Sequence, residues 1–243
     1  MTTTKEHYDN HLAEHYVWML GDTSNEQDFI RKLLSDHQIS ASENSYAIDL
    51  GAGSGLHSVA IAQMGFHVTS IDFCKTLLDE IDKRKDNLNI KTVCDDISNF
   101  KKYVRQPADL IVCGGDTLTH LPDINSVRNL IEECAFSLKE NGYIYFSFRD
   151  YTNELTGIQR FIPVKSSSNK ILTCFLEFSA EKVNVTDIVH YYENNKWKLL
   201  ASSYVKIRIS STDVVYLLEK AGMKLLHVSK SKGMIHLIAK SEK

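Results

Sequence analysis

Proline is scarce, three residues in 243, and no stretch rich in proline, glycine or serine divides the chain. Composition therefore gives no sign of a linker, a low-complexity tail or a disordered half. The five cysteines, Cys74, Cys94, Cys113, Cys134 and Cys174, are odd in number, widely scattered and without a C-x-x-C pair. That pattern carries neither a disulfide framework nor a zinc site, and it fits reduced intracellular thiols. No apolar run approaches the ~20 residues that cross a bilayer. Met1–His7 is polar where a signal sequence would have an apolar core. The expectation is a cytoplasmic protein with no membrane partner. Neither sign of charge dominates: 28 Lys and Arg stand against 31 Asp and Glu, net −3, which leaves no general electrostatic footprint for nucleic acid.

What is present is an ordinary globular composition, 43% hydrophobic and 24% charged. The length suits one α/β domain with room for an insertion. The chain is organised around Tyr46–His57. An apolar strand-like run ends in Asp49-Leu50, passes through Gly51-Ala52-Gly53-Ser54-Gly55, and opens into the helical Ser58-Val59-Ala60-Ile61-Ala62. Glycines there permit a sharp turn and a close backbone approach to a ligand. Dinucleotide loops read G-x-G-x-x-G, whereas here the third glycine comes one residue early and Leu56 takes its place. Asp49 at the strand end would repel a pyrophosphate and favour an ammonium. A ligand with an ammonium and no phosphate fits this loop better than NAD.

Asp49-Leu50-Gly51-Ala52-Gly53-Ser54-Gly55 resembles the first motif of class I S-adenosylmethionine (SAM) methyltransferases. The resemblance implies a Rossmann-like seven-stranded α/β sheet of order 3-2-1-4-5-7-6, its last strand antiparallel, with helices on both faces. It also implies SAM as cofactor, S-adenosylhomocysteine (SAH) as product, and no metal. Phe66–Asp72 reads as the second strand. Asp72, 21 residues after Gly51, stands at the separation where such folds bind ribose hydroxyls, and Phe73 follows to cover an adenine face. Family likeness assigns Asp96-Ile97 to the adenine amine, with helix capping as the alternative role of Asp95 or Asp96. Gly51, Ala52, Gly53, Gly55, Gly114 and Tyr16 complete the expected cofactor contacts.

The fourth strand leads into Gly114-Gly115-Asp116-Thr117-Leu118-Thr119-His120-Leu121, similar to the Gly-Asn-Ser-x-x-His-Leu pattern of the glycine and sarcosine N-methyltransferase branch. Asp116 departs from its asparagine. A carboxylate there would favour a cationic amine or serve as a base, and His120 is the second catalytic candidate; a turn and a helix-start histidine are the structural alternatives. Beyond strand five, Arg149-Asp150-Tyr151 resembles a substrate-pocket segment of the same branch. Arg149, Tyr151 and Arg160 are expected to hold a substrate carboxylate, with surface ion pairs as the alternative.

Residues 7–20 carry aromatics and histidines at helical spacing, read either as core packing or as a lid that excludes water, with Tyr8 and Tyr16 as its contacts. A second helix follows over about 26–36. Three strand-like runs, 171–178, 183–193 and 197–209, predict an antiparallel β insertion over the cleft. The expected organisation is a helical lid over 1–44, a core over 45–154 and 211–243, and an insertion over 155–210. The partner expected is a small-molecule methyl acceptor, most directly an amine or amino-acid-like nitrogen, with no nucleic acid; the insertion's exposed strands leave a homodimer open. RNA or protein methylation and a non-catalytic SAM-binding module are the alternative functions.

Overall fold

The computed structural model describes residues 3–243; Met1 and Thr2 of the expected lid lie outside the described residues. Strands β1 (Tyr46–Leu50), β2 (His67–Asp72), β3 (Ile90–Cys94), β4 (Ala108–Cys113), β5 (Leu138–Phe148), β10 (Met223–Ser231) and β11 (Met234–Ser241) form one sheet of order β3-β2-β1-β4-β5-β11-β10. All pairs from β3 to β5 are parallel, and β11 runs antiparallel to both its neighbours. This is the expected order 3-2-1-4-5-7-6, with β10 and β11 as its sixth and seventh strands.

Period-two alternation sends neighbouring residues of one strand to opposite faces. Ile48 and Leu50 of β1 join a core with α6 (Ile124–Ser137) and α7 (Ser211–Lys220), whereas Ala47 joins one with α3 (Ser24–Asp36), α4 (Leu56–Gln63) and α5 (Lys75–Arg84). Strands buried on both faces explain the near-continuous apolar runs. In sequence, an apolar stripe at helical spacing over about 125–139 followed by Glu140-Asn141-Gly142 reads as a helix with a glycine stop; the helix instead ends at Ser137, and β5 begins at Leu138, which pairs with Ala108. Asn141 takes a left-handed φ of +58° within this extended stretch, so the residues that signalled a helix stop mark a strand irregularity.

A second sheet, β6-β7-β8-β9, is made by Phe161–Ser166, Lys170–Phe178, Lys182–Glu193 and Lys196–Ile207, antiparallel throughout. It contains one strand more than the sequence reading gave. β6 escaped notice because its Pro163 and its register shift break the strand pattern. The N-terminal segment is likewise not one helix: α1 (Thr4–His7) passes through a π turn at Tyr8–Leu12 into α2 (Ala13–Leu20). The extra residue in that turn re-aims the side chains on either side of it.

Candidate active site

At the C-terminal end of β1 the chain reverses through Gly51, Gly53 and Gly55, all at positive φ. Gly51 is fixed there by its N–H, which donates to Ile71 O at 2.8 Å. A Cβ at Gly51 would stand 2.3 Å from Thr117 Oγ1, so the first loop and the segment after β4 can close together only over glycine. Gly114 is held in the same way, its missing Cβ leaving room for the His57 ring. Gly53 N and Cys74 N each donate to Asp72 at 2.8 Å, one to each carboxylate oxygen. Each oxygen keeps a second acceptor position, and the carboxyl is held above its usual range by burial.

Asp49 is fully buried. Its Oδ2 accepts from Ser58 Oγ at 2.6 Å, and Ser58 Oγ lies 2.7 Å from Ser70 Oγ. Its Oδ1 has no partner among the described residues. Burial, with the Asp72 charge adding to it, pushes the carboxyl to about 7. An unpaired oxygen on a carboxyl this desolvated is a place where an added cation or donor would be welcome. At β3, Asp95 accepts from Tyr103 OH at 2.6 Å, Asn99 Nδ2 at 2.9 Å and Asp96 N at 2.7 Å. Asp96 is exposed and gives one oxygen to the Ser98 N–H as a helix cap. Of the two adjacent acids, Asp96 is the one with an oxygen to spare; the Ile97 side chain packs into the core.

The N-terminal segment lies across this loop. The Tyr16 hydroxyl would stand 3.6 Å from a Cβ at Gly53, and burial lifts its phenol to about 12. The Tyr8 ring meets Phe73 at 5.7 Å, Tyr16 at 6.0 Å and His120 at 5.8 Å. His7, fully buried, ties the segment to the second sheet: its Nδ1 is 2.9 Å from Ser202 Oγ and its Nε2 is 3.0 Å from Asp187 Oδ2. Cys174 Sγ donates to the other Asp187 oxygen at 2.8 Å.

Asp116, a buried non-glycine residue at φ +78°, sits at the end of β4. Strain of this kind clusters at functional sites. The sequence suggested a carboxylate free to meet an amine or take a proton, and the structure corrects that. Oδ1 accepts from Arg149 N at 2.8 Å and Thr119 Oγ1 at 2.9 Å; Oδ2 accepts from Tyr151 OH at 2.9 Å and is ion-paired with Lys206 Nζ. All its acceptor positions are filled. Burial alone would raise the carboxyl, but the Lys206 charge and the Arg149 N–H outweigh it and hold it below the usual range. His120 stacks on Tyr204 at 5.3 Å. Burial, then the Lys206 charge, drives its imidazole down to about 3, and its Nδ1 is buried with no partner among the described residues.

The expected carboxylate clamp is not assembled as foreseen. Tyr151 spends its hydroxyl on Asp116. Arg149 meets that carboxylate through its backbone, while its guanidinium reaches the β10–β11 turn, 3.1 Å from where a Cβ on Gly233 would be. Arg160 lies over the Phe175 ring at 4.8 Å. Phe175 belongs to the opposite face of β7 from Cys174, so Arg160 is outside the site. Lys206 and Tyr204 were missed. Their signal was faint: a lysine at an inward-phase position of Tyr204-Val205-Lys206-Ile207, among apolar neighbours.

Residues 47–142 match the methyltransferase domain family. The matched segment is the core of the first sheet, from β1 into β5. The chain is 27% identical over 156 residues to a glycine/sarcosine N-methyltransferase of Aphanothece halophytica, covering 60% of this chain and 57% of that one. It is 32% identical over 124 residues to a ubiquinone biosynthesis O-methyltransferase of Coxiella burnetii, covering 48% of this chain and 51% of that one. The matches thus span about half the length of these curated relatives. In fold it resembles a SAM-dependent methyltransferase from Clostridium acetobutylicum, TM-score 0.76, 17% identity, over 96% of this chain and 97% of that one.

Proposed function

We propose that this chain transfers a methyl group from SAM to a small metabolite, at an amine or amino-acid-like nitrogen. When bound, SAM supplies an activated methyl group on a sulfonium, so the protein's work is orientation and exclusion of water. The residues fit that cofactor. The glycine loop offers its backbone, Asp72 and Asp96 keep acceptor positions for hydroxyl and amine donors, and the unpaired Asp49 Oδ1 suits the side that carries an ammonium.

The observation that carries the choice of nitrogen is that neither Asp116 nor His120, the two candidate bases, is free to take a proton. Asp116 is saturated, and the His120 imidazole is too weakly basic near neutral pH to take a proton from an alcohol or phenol. A neutral amine needs no such base. Its N–H suits the open His120 Nδ1, which orients the acceptor. The relatives' printed activities include both N- and O-methylation, and this chemistry favours the first.

The N-terminal segment acts as a lid. Tyr8 and Tyr16 pack over the glycine loop and Phe73, the Tyr8 ring 5.7 Å from Phe73 and the Tyr16 hydroxyl 3.6 Å from where a Cβ on Gly53 would be. Ligands enter when this segment swings away, and its return excludes water. The deciding experiment is transfer from methyl-labelled SAM into cell extract separated into metabolites, RNA and protein. Label in an amine of the metabolite fraction is expected; label confined to RNA or protein, or bound SAM with no transfer at all, would refute the proposal.

A further inference from the structure

The charged group that faces an incoming acceptor is Lys206, not Asp116. A carboxylate offers about four acceptor positions, and at Asp116 these take Arg149 N, Thr119 Oγ1, Tyr151 OH and Lys206 Nζ. An ammonium has three N–H donors. Among the described residues, Lys206 gives one to Asp116 and has only a long 3.5 Å approach to Tyr151 OH besides. Its other neighbours are the rings of Tyr151 and Tyr204, each 5.6 Å from Nζ. Donor capacity is therefore left over on a lysine that is itself only 6% exposed.

That lysine also forms part of the wall of a cleft of about 230 Å3, together with Thr4, His120, Pro122 and Lys182. The cleft opens between the N-terminal turn and β9. Its lining charges are two lysines and no acid. The unspent polar capacity in its lining is the Lys206 ammonium donor and a nitrogen acceptor, the His120 Nδ1 that no described residue meets. An ammonium ligand would find no free anion here. A carboxylate would find a desolvated lysine in a low-dielectric wall, where such a pairing is strongest.

We propose that this cleft takes a small carboxylate-bearing acceptor whose acid group is anchored by Lys206, while His120 Nδ1 receives its N–H. Lys206 is then a specificity-determining residue, and the inference rests on the methyltransferase reading above. It also gives a role to the aspartate that departs from the resembled Gly-Asn-Ser-x-x-His-Leu pattern: Asp116 balances and positions a lysine whose remaining donors serve the ligand.

The test compares binding of matched acids and primary amides, acetate with acetamide, alanine with alaninamide and benzoate with benzamide, by calorimetry at constant ionic strength. At least one acid is expected to bind the wild type about tenfold more tightly than its amide, the usual weight of one charge-assisted contact. The preference should survive Lys206→Arg and fall to about twofold or less in Asp116→Asn/Lys206→Met, a double variant that removes both charges together so that the fold is kept. Equal binding of acids and amides to the wild type, or a preference that survives the double variant, would overturn the proposal. SAH is titrated into the same samples. Loss of SAH binding by the wild type would sink the methyltransferase reading, and the acid–amide comparison would still decide the role of Lys206.

Discussion

Asp49 is a carboxyl buried without a cation, and that fixes how stability should vary with pH. Its folded value of about 7 lies above the ~3.9 of an exposed aspartate. The folded state therefore holds a proton that the unfolded chain releases between those values. Stability from this group is full below about pH 4 and is lost as pH rises through about 7. His120, pushed down to about 3, acts in the other direction, losing stability as pH falls below about 6.5. The wild-type curve mixes the two, so the Asp49 contribution is read as a difference. Asp49→Asn should equal wild type in melting temperature near pH 4 and exceed it by several degrees (~2–4 °C per kcal/mol) near pH 8. It should also bind SAH more weakly, since the unpaired Oδ1 is gone. Calorimetry from pH 4 to 8 checks this, and curves that stay parallel would contradict it. At the neighbouring ion pair, Lys206→Met and Asp116→Asn should each cost ~3–5 kcal/mol in urea denaturation, because each leaves one buried charge alone. The double variant should cost less than the sum, and strict additivity would mean that the two charges are not coupled in solution.

At the level of elements, the glycine loop and the N-terminal segment meet at the candidate site, and they differed in how much of them could be read from sequence. The loop was legible because its signals are local. A strand ending in an acid, three spaced glycines and a helix start lie within a dozen residues, and Asp72 follows at a fixed βα interval. Gly51→Ala should abolish SAH binding and lower the melting temperature, since φ +74° and the 2.3 Å approach to Thr117 both oppose a methyl group. Unchanged SAH affinity in that variant would show that the loop can repack. The latch of the segment was not legible. His7 meets Asp187 and Ser202 at sequence separations of 180 and 195 residues, and Lys206 meets Asp116 across 90. Periodicity ranks such residues only as inward or outward and cannot pair them. The π turn at Tyr8–Leu12 leaves no composition signal either. His7→Ala should free the segment while leaving both sheets folded. Amides of residues 8–20 should exchange about tenfold faster, those of β1 and β4 unchanged. Uniform acceleration across the chain would mean that the latch is part of the global core.

For the whole molecule, the question is whether the two sheets unfold as one body. Each has its own apolar cluster: the second sheet buries Leu176, Val183, Val185 and Tyr204 against Tyr151, apart from the two clusters that sandwich the first sheet. Their sequence signal was strong enough to foresee an insertion, because alternation within strands survives without knowing the partner. What joins the sheets is Ile207 of β9, packed into the first sheet's apolar cluster, together with one set of polar contacts. Arg208, just after β9, donates from Nε to Tyr151 O at 3.0 Å, from Nη2 to Thr152 O at 2.8 Å and from Nη1 to Glu154 at 2.7 Å, and Nη1 also reaches Ser179 O. One guanidinium thus holds both the segment after β5 and the β7–β8 turn. Its side chain is 11% exposed, so these bonds are partly shielded from water and should exceed the ~0–1 kcal/mol of a surface pair. Wild type should melt in a single transition, with far-UV dichroism and exchange of the second sheet falling together. Arg208→Ala strands three backbone carbonyls and should cost ~2–4 kcal/mol. Its cost should fall on the junction, so that amides of β6–β9 exchange before those of β1, β2 and β4. SAH affinity, which depends on the first sheet, should change less than twofold, while methyl transfer falls because the Lys206 wall of the acceptor cleft is no longer held. A variant that lost both properties in proportion would show instead that the two sheets share one cooperative core.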